Sequence, residues 1–592
     1  MLDPRIYRTG LVAGALAVIV LAFSLRDQQG ALGTTLAPEA FNGQNAYASM
    51  TSLARLHPSR RPGSAGDNEL AAAVAKSFRR DGNGFAVSTH RFSARTADGT
   101  RTLQSVSAVR VGLSPGSIVV VAHRDALSSP ATAALSGTAT LLELARVLSG
   151  TLKHTIVLVS TSASSGTAGA DQLARRLAGS VDAVLVLGDL AGTRIRNPIV
   201  VPWSDGQQVA PPMLRNTVAA ALGAQTGLRP GGTSFAGQLA RLAFPLSVGE
   251  QGPFGARSEP AVLLSLSGDA GPAPDAAVSS PRIAALGRTV LQTISALDGG
   301  PTVPAPSAYL LYSGKVIPLW AIRLLVLALI LPVLGATIDG LARARRRGHA
   351  IARWTIWVLA GAAPFVLGLA LVLASRLVGL IGVAPPGPVA AGAVPLRGSG
   401  IAVLLGVGIL VVVSLVWIRP WVIRLASTPG MRSGSVGAGA PGAAAAVLLV
   451  MCVAALAIWV SNPFAAALML PALHLWMWVV APDVRLRPAV RLALLAIGFA
   501  PPVLVAVYYA KVLGLDPLGV LWNGTLLLAG GQVSVLAGIE WSVVLGCAVS
   551  ALVIAVGAAR GDRAVPAPVT VRGPITYAGP GSLGGTKSAL RR

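Results

Sequence analysis

Eight stretches of this chain are apolar for about as long as a helix needs to cross a lipid bilayer. The first covers residues 9–25; the others lie near 316–340, 354–376, 399–418, 443–461, 464–481, 492–514 and 535–558. A hydrocarbon core about 30 Å thick needs roughly 20 apolar residues per helix. A water-soluble fold is excluded on composition as well. Of 592 residues, 53% are hydrophobic and 12% charged, against roughly a quarter charged in soluble domains. The first run follows Arg5 and Arg8 and has no small-residue cleavage site close behind it. We read residues 1–26 as an uncleaved signal anchor rather than a removed signal peptide.

The formal charge of +25 has two possible sources, a nucleic-acid surface or a topology signal, and the position of the arginines separates them. If the N-terminus is cytoplasmic and residues 27–315 lie outside, alternation makes four C-terminal segments cytoplasmic. These carry 17 Lys and Arg, beginning with Arg343, Arg345 and Arg346, against four (Arg323, Arg376, Arg397 and Lys511) on the opposite side. The opposite orientation would invert that ratio. Residues 515–534 are apolar but broken by Pro and Gly, and counting them as a span would put the basic tail outside. They read as a re-entrant or interfacial segment. The tail 561–592, rich in Gly, Pro and Ser, reads as disordered. Residues 27–315 hold 24 basic and 17 acidic residues with no basic run longer than a pair, so no nucleic-acid partner is expected. Cys452 and Cys547 both sit in apolar runs, which excludes a disulfide framework or a thiolate metal site.

Between the first run and the rest, the text is that of an α/β domain. Residues 117–122 (SIVVVA), 155–160 (TIVLVS) and 181–187 (VDAVLVL) are short and rich in β-branched residues, as buried parallel strands are. Helical stretches near 141–148 and 168–177 follow the first two. Ligands of open α/β sheets bind at the carboxyl ends of the strands. Those ends carry His123 and Asp125, the segment 160–166, and Asp189.

These pieces, VVVAHRDA, SGTATLLELARVL, HTIVLVSTSASSGTAGADQLARRL, VLVLGDLAG and GPFGARSEPAVLLSLSGDAGPAPD, resemble the di-zinc aminopeptidases of peptidase family M28 in the same order. The resemblance covers about 48–297 and implies a zinc-aminopeptidase-like fold. It also implies two zinc ions on five side chains, with a separate Glu as general base. Carried over by position, His123 and Asp189 match metal ligands, and Asp125 matches the Asp that orients the first His. The other positions do not match. Ala133 stands where the bridging Asp belongs, Ala163 and Ser164 where the two Glu belong, and Gly271 near the last His. None of the six histidines (57, 90, 123, 154, 349, 474) falls between 154 and the apolar runs. Ala and Gly cannot coordinate zinc. The expectation is a pseudo-peptidase with no cofactor, His123 and Asp189 being vestigial.

The plainer reading of His123 and Asp125 is a hydrogen-bonded pair at a strand end, and of Asp189 a turn or cap residue. The alternative function is a membrane-anchored zinc metallopeptidase in which Asp171, Asp205, Glu250 or Asp269 replaces the lost ligands. Within the spans, His474 and Glu540 are the polar exceptions and are functional hypotheses by default. A lone His can equally bond a neighbouring helix, and Glu540 lies near a span end. The spans lack paired broken segments in two matching halves, so a transporter fold is not indicated.

The expected architecture is an α/β zinc-aminopeptidase-like extracytoplasmic domain (27–315) and an all-α polytopic membrane domain (316–560). This layout is similar to that of the metallopeptidase-like subunit of the GPI transamidase. It implies that the domain binds a peptide, a lipid-linked ligand or another membrane protein. The 43 Arg against 5 Lys fit a high-GC bacterial genome and hence a bacterial plasma membrane.

Overall fold

A computed structural model describes residues 4–559 except 83, 178, 347–350, 383, 422–440, 482–483 and 485. The expected tail 561–592 lies outside the described residues.

The α/β domain is built on a mixed sheet of seven strands. After the two-residue β1 (Arg26–Asp27), these are β2 (Ala86–Thr96), β3 (Gly99–Arg110), β4 (Ser117–His123), β5 (Thr155–Thr161), β6 (Val181–Leu187), β7 (Val200–Val201) and β8 (Ala261–Leu264). Their order across the sheet is β2-β3-β5-β4-β6-β8-β7. The three β-branched runs read from the sequence are β4, β5 and β6, parallel neighbours with β4 in the middle. Ile118, Val119, Val120 and Val121 have no solvent exposure, which accounts for the unbroken apolar run of β4: both faces of this strand are covered. Burial of each such side chain stabilises by about 1.5–3 kcal/mol. The helices on either side are Ser136–Val147 and Ala168–Arg176. The first starts five residues earlier than its apolar periodicity suggests, because its opening turn is made of small and polar residues.

At the far edge, β2 and β3 form a long antiparallel hairpin closed by a two-residue turn between Thr96 and Gly99. Gly99 takes φ +98°, a conformation that glycine adopts without strain. Residues 316–318, expected to begin a span, instead extend the α/β domain. They belong to β10 (Lys315–Pro318), which pairs with β9 (Tyr309–Tyr312) and β1 in a small sheet. The helix that follows begins at Leu319.

Eight described helices are long and apolar enough to cross a bilayer: Arg5–Phe23, Leu319–Arg346, Ile351–Leu377, Gly398–Trp421, Gly442–Ser461, Pro463–Val480, Pro488–Leu513 and Val535–Gly557. The segment after 514 forms the helix Pro517–Gly530, whose 14 residues at about 1.5 Å each fall short of the hydrocarbon thickness. Three connections between helices meet the α/β domain. Gly387 N–H donates to Gly166 O at 3.1 Å. Asn462 donates to Leu242 O and Ala243 O at 2.9 and 3.0 Å. Arg95 donates to Gly530 O at 3.3 Å. These are the connections that alternation assigns to the domain's own side. The buried apolar cluster under one sheet face runs without a break from Val119, Val121 and Val159 through Tyr309 and Ile317 to Met451 and Trp476.

Asn462 also accepts from Phe464 and Ala465 N–H, capping the next helix. Asn462→Ala removes a cap and the partners of two carbonyls. It is expected to destabilise the chain by about 1–3 kcal/mol, read as a lower thermal-unfolding midpoint of the full chain in detergent.

Candidate functional site

The carboxyl ends of β4, β5 and β6 gather His123, Asp125 and Asp189 at one edge, as the sequence indicates. Among their partners are Glu250, one of the four candidate replacement ligands, and Thr161 and Ser164 of the segment 160–166. The Glu250 carboxylate is 3% exposed and lies 3.4 Å from His123 Nδ1. Its other oxygen accepts from Thr161 Oγ1 at 2.7 Å. Asp125, 1% exposed, accepts from Ser164 N–H at 3.1 Å and Ser164 Oγ at 3.1 Å. Burial pushes the Asp125 carboxyl up to about 6, against the attraction of His123 and with the repulsion of Asp67 and Glu250. Burial acts to lower His123, yet its hydrogen bond to Glu250 and the fields of Glu250 and Asp125 outweigh that and raise it. His123 Nδ1 thus faces the Glu250 carboxylate.

Asp189 is committed to its own turn. Oδ1 accepts from Ala191 and Gly192 N–H at 3.1 and 2.7 Å, and Oδ2 accepts from Ser267 Oγ at 2.5 Å. That is a turn residue's bonding pattern. Ala133 lies in the buried turn Thr132–Leu135. Ala163, fully buried, has φ +63°, a left-handed conformation that costs a residue with a Cβ about 1–2 kcal/mol. Gly271 has φ +74° and nothing within 4 Å of a would-be Cβ.

Two arginines missed by sequence reasoning complete the site. Arg60 and Arg124 are both 0% exposed. Arg124 pairs with Asp67 at 2.9 Å, itself 0% exposed, and donates to the carbonyls of Ser160, Thr161 and Gln104. Asp67 also accepts from Ser162 Oγ at 2.6 Å and Gly63 N–H at 2.9 Å. Arg60 donates to the carbonyls of Arg124, Pro130 and Ala131, and Asp125 and Asp67 both act on its charge. Arg124 was in view, between His123 and Asp125. Nothing in the sequence tied it to Asp67, 57 residues away.

The other acidic candidates lie elsewhere. Asp171 pairs with Arg175 and Arg257, Asp269 with Arg241 at 2.9 Å, and Asp205 accepts from Ser247 N–H. Glu250 alone of the four reaches His123. Among the described residues no group of three His, Cys, Asp or Glu is placed to hold a metal ion. A zinc site needs three protein ligands at least. His123 and Glu250 provide two, beside a buried guanidinium that repels a cation. The residues present do not fit the two zinc ions that the resemblance implies.

No protein-family model matches this chain, and no curated protein matches it. Solved structures similar to it include a zinc aminopeptidase from Bacillus subtilis, 13% identical with a TM-score of 0.36 over 43% of this chain and 94% of its own. An aminopeptidase from Aneurinibacillus is 13% identical with a TM-score of 0.37, over 46% and 97%. A glutaminyl cyclase from an Acidobacteriales bacterium is 18% identical with a TM-score of 0.36, over 46% and 99%. The chain is similar to these proteins in fold over less than half its length. What the site can do rests on its own side chains.

In the bundle, His474 Nε2 lies 3.0 Å from Leu329 O and Nδ1 lies 2.8 Å from the Tyr7 hydroxyl. A carbonyl only accepts, so Nε2 carries the proton and Nδ1 accepts from Tyr7. This histidine ties three helices together. Glu540 is in the second turn of Val535–Ala559, the end nearer the α/β domain.

Removing one member of a buried ion pair strands the other. Asp67→Ala is expected to cost about 3–5 kcal/mol, read as a collapse of the thermal midpoint, whereas Asp171→Ala at a half-exposed pair is expected to cost about 1 kcal/mol or less.

Proposed function

We propose that this chain is a polytopic protein of the bacterial plasma membrane. Its aminopeptidase-like domain lies outside the cell and binds a peptide, a lipid-linked ligand or a partner membrane protein without cleaving it. The observation that carries this reading is the charge balance at the strand ends. Arg124 pairs with Asp67, His123 faces Glu250, Arg60 stands by Asp125, and Asp189 has Oδ1 held by its own turn and Oδ2 by Ser267. Among the described residues no group of three ligating side chains stands ready to hold a metal, and on this reading metal-activated water is not supplied here. A sheet edge with fixed buried charges remains for recognition.

The place of the cleft favours a ligand that approaches from the membrane. The loop after β5 rests on the bundle through Gly166 and Gly387. The turn after β8 does so through Asp269 and Arg241, whose Nε donates to Tyr508 Oη at 2.9 Å. The ligand-binding edge thus faces the helices. The layout is similar to that of the metallopeptidase-like subunit of the GPI transamidase, and we extend that likeness to the binding of a lipid-linked substrate. The 17 to 4 bias of Lys and Arg supports cytoplasmic termini.

Two measurements test this. The purified full chain is expected to carry well under one zinc per molecule and to release nothing from a panel of amino-acid anilides. Stoichiometric zinc that disappears in His123→Ala would overturn the non-catalytic reading and restore the metallopeptidase. A reporter fused after Arg346 is expected to read cytoplasmic; an external signal there would reverse the topology.

A further inference from the structure

A cavity of about 400 Å³ lies where the tip of the β2–β3 hairpin overhangs the helices. Its polar wall is Arg61, Asp98, Arg101 and Arg397, and its apolar floor includes Trp522 and Leu526. Within the wall, Arg61 and Asp98 cancel. The Arg61 guanidinium is forked onto both Asp98 oxygens at 2.7 and 2.5 Å, and Asp98 is held below the usual carboxylate range by that bond first, then by the fields of Arg101 and Arg397. Arg101 and Arg397 therefore stand close to one carboxylate that Arg61 already occupies. The structure gives neither of them a hydrogen bond or ion pair of its own among the described residues. With three arginines against one aspartate, the cavity wall carries two net positive charges.

Its position is as informative as its charge. Arg397 is the residue before the helix Gly398–Val413, so it stands where a span meets the water on the domain's side. Trp522 and Leu526, 6% and 5% exposed, come from the short helix Pro517–Gly530. Trp522 Nε1 donates to Val394 O at 3.0 Å, fixing the ring in the floor. Tryptophan is favoured at that depth of a membrane. Arg397 is also one of only four basic residues on the side that the charge bias keeps poor in them, and a second, Arg376, stands within the field of Arg95 on the same hairpin. Topology does not explain cations gathered there, whereas a bound phosphate would.

We propose that this cavity binds the anionic, phosphate-bearing headgroup of a membrane lipid, with Arg101 and Arg397 on the phosphate and the Trp522–Leu526 floor against the start of the lipid chain. This rests on the membrane reading above and adds to it the class of ligand. An apolar floor beside two cations is made for an amphiphile rather than for a free anion.

The test uses the full chain in a neutral detergent, with three probes: short-chain phosphatidylglycerol, short-chain phosphatidylcholine and inorganic phosphate. The expected result is saturable binding of phosphatidylglycerol, weakened about tenfold or more in Arg101→Ala/Arg397→Ala and largely kept in Arg101→Lys/Arg397→Lys. Arg194→Ala, which removes an exposed charge elsewhere on the domain, is expected to bind as the parent does. Both arginines are exposed, so the double variant should keep the parent's unfolding midpoint. Equal affinity in parent and double alanine variant would overturn the proposal. So would inorganic phosphate or phosphatidylcholine binding as tightly as phosphatidylglycerol, which would mean a free-anion or a non-selective lipid site. The reporter after Arg346 keeps the two readings apart. An external signal there removes the membrane topology and this site together, whereas a cytoplasmic signal with arginine-independent binding removes this site alone.

Discussion

Two guanidinium groups without access to water, Arg60 and Arg124, govern the carboxyl edge of the sheet. A buried charge costs several kcal/mol in lost hydration unless partners replace it. Each arginine therefore collects backbone carbonyls from several elements: Arg60 those of Arg124, Pro130 and Ala131, and Arg124 those of Gln104, Ser160 and Thr161. The loops after β4 and β5 are thereby fixed to each other and to the helix that bears Asp67. A dinuclear zinc centre would organise the same edge with metal cations held by carboxylates and imidazoles. Here the positive charge belongs to the chain itself, and the remaining acids are matched to it one by one. The same pairs fix the loops of this edge to one another.

That edge faces the helix bundle, and the bundle holds it there by more than a linker. Asn462, Tyr509 and Gly387 bond directly to the domain's backbone, Tyr509 Oη to Phe244 O at 2.5 Å. One apolar cluster continues from the lower face of the sheet into the helices. Gly166 shows how close the approach is. It has φ +81°, and a Cβ there would come within 2.3 Å of Pro385, so a side chain would both strain the turn and separate the surfaces. The domain is thus seated directly on the bundle, with the carboxyl edge of its sheet toward the helices.

Much of this was legible in the sequence, for identifiable reasons. Strands β4, β5 and β6 stand out because a strand covered on both faces must be apolar at every position. The spans stand out because hydrocarbon tolerates no alternative. Ala133, Ala163 and Gly271 read as absences of chemistry from the resemblance alone, and the structure places them in turns and loops with no ligating side chain of their own. What the sequence concealed was compensation across distance: Glu250 against His123, Asp67 against Arg124, Tyr7 against His474. Each joins residues more than 50 positions apart, and no periodicity encodes such a meeting. The boundary at residue 316 was misplaced for a local reason. Val316 and Ile317 are apolar because they sit in β10 against the start of the bundle core, and hydropathy alone does not separate a buried strand from the helix it feeds.

Arginine placement links the two halves of the molecule. Within the α/β domain the buried arginines are matched: Arg124 to Asp67, Arg241 to Asp269, and Arg60 to four carbonyls. Under the proposed topology, the arginines near the cytoplasmic helix ends would serve orientation. Arg101 and Arg397 belong to neither class. They sit on the side where orientation disfavours them, next to a single carboxylate held by Arg61. Two cations at an interface repel each other and gain little from the low-dielectric floor beneath them. The arrangement becomes favourable once an anion enters between them, and at that depth of a membrane the abundant anion is a lipid phosphate.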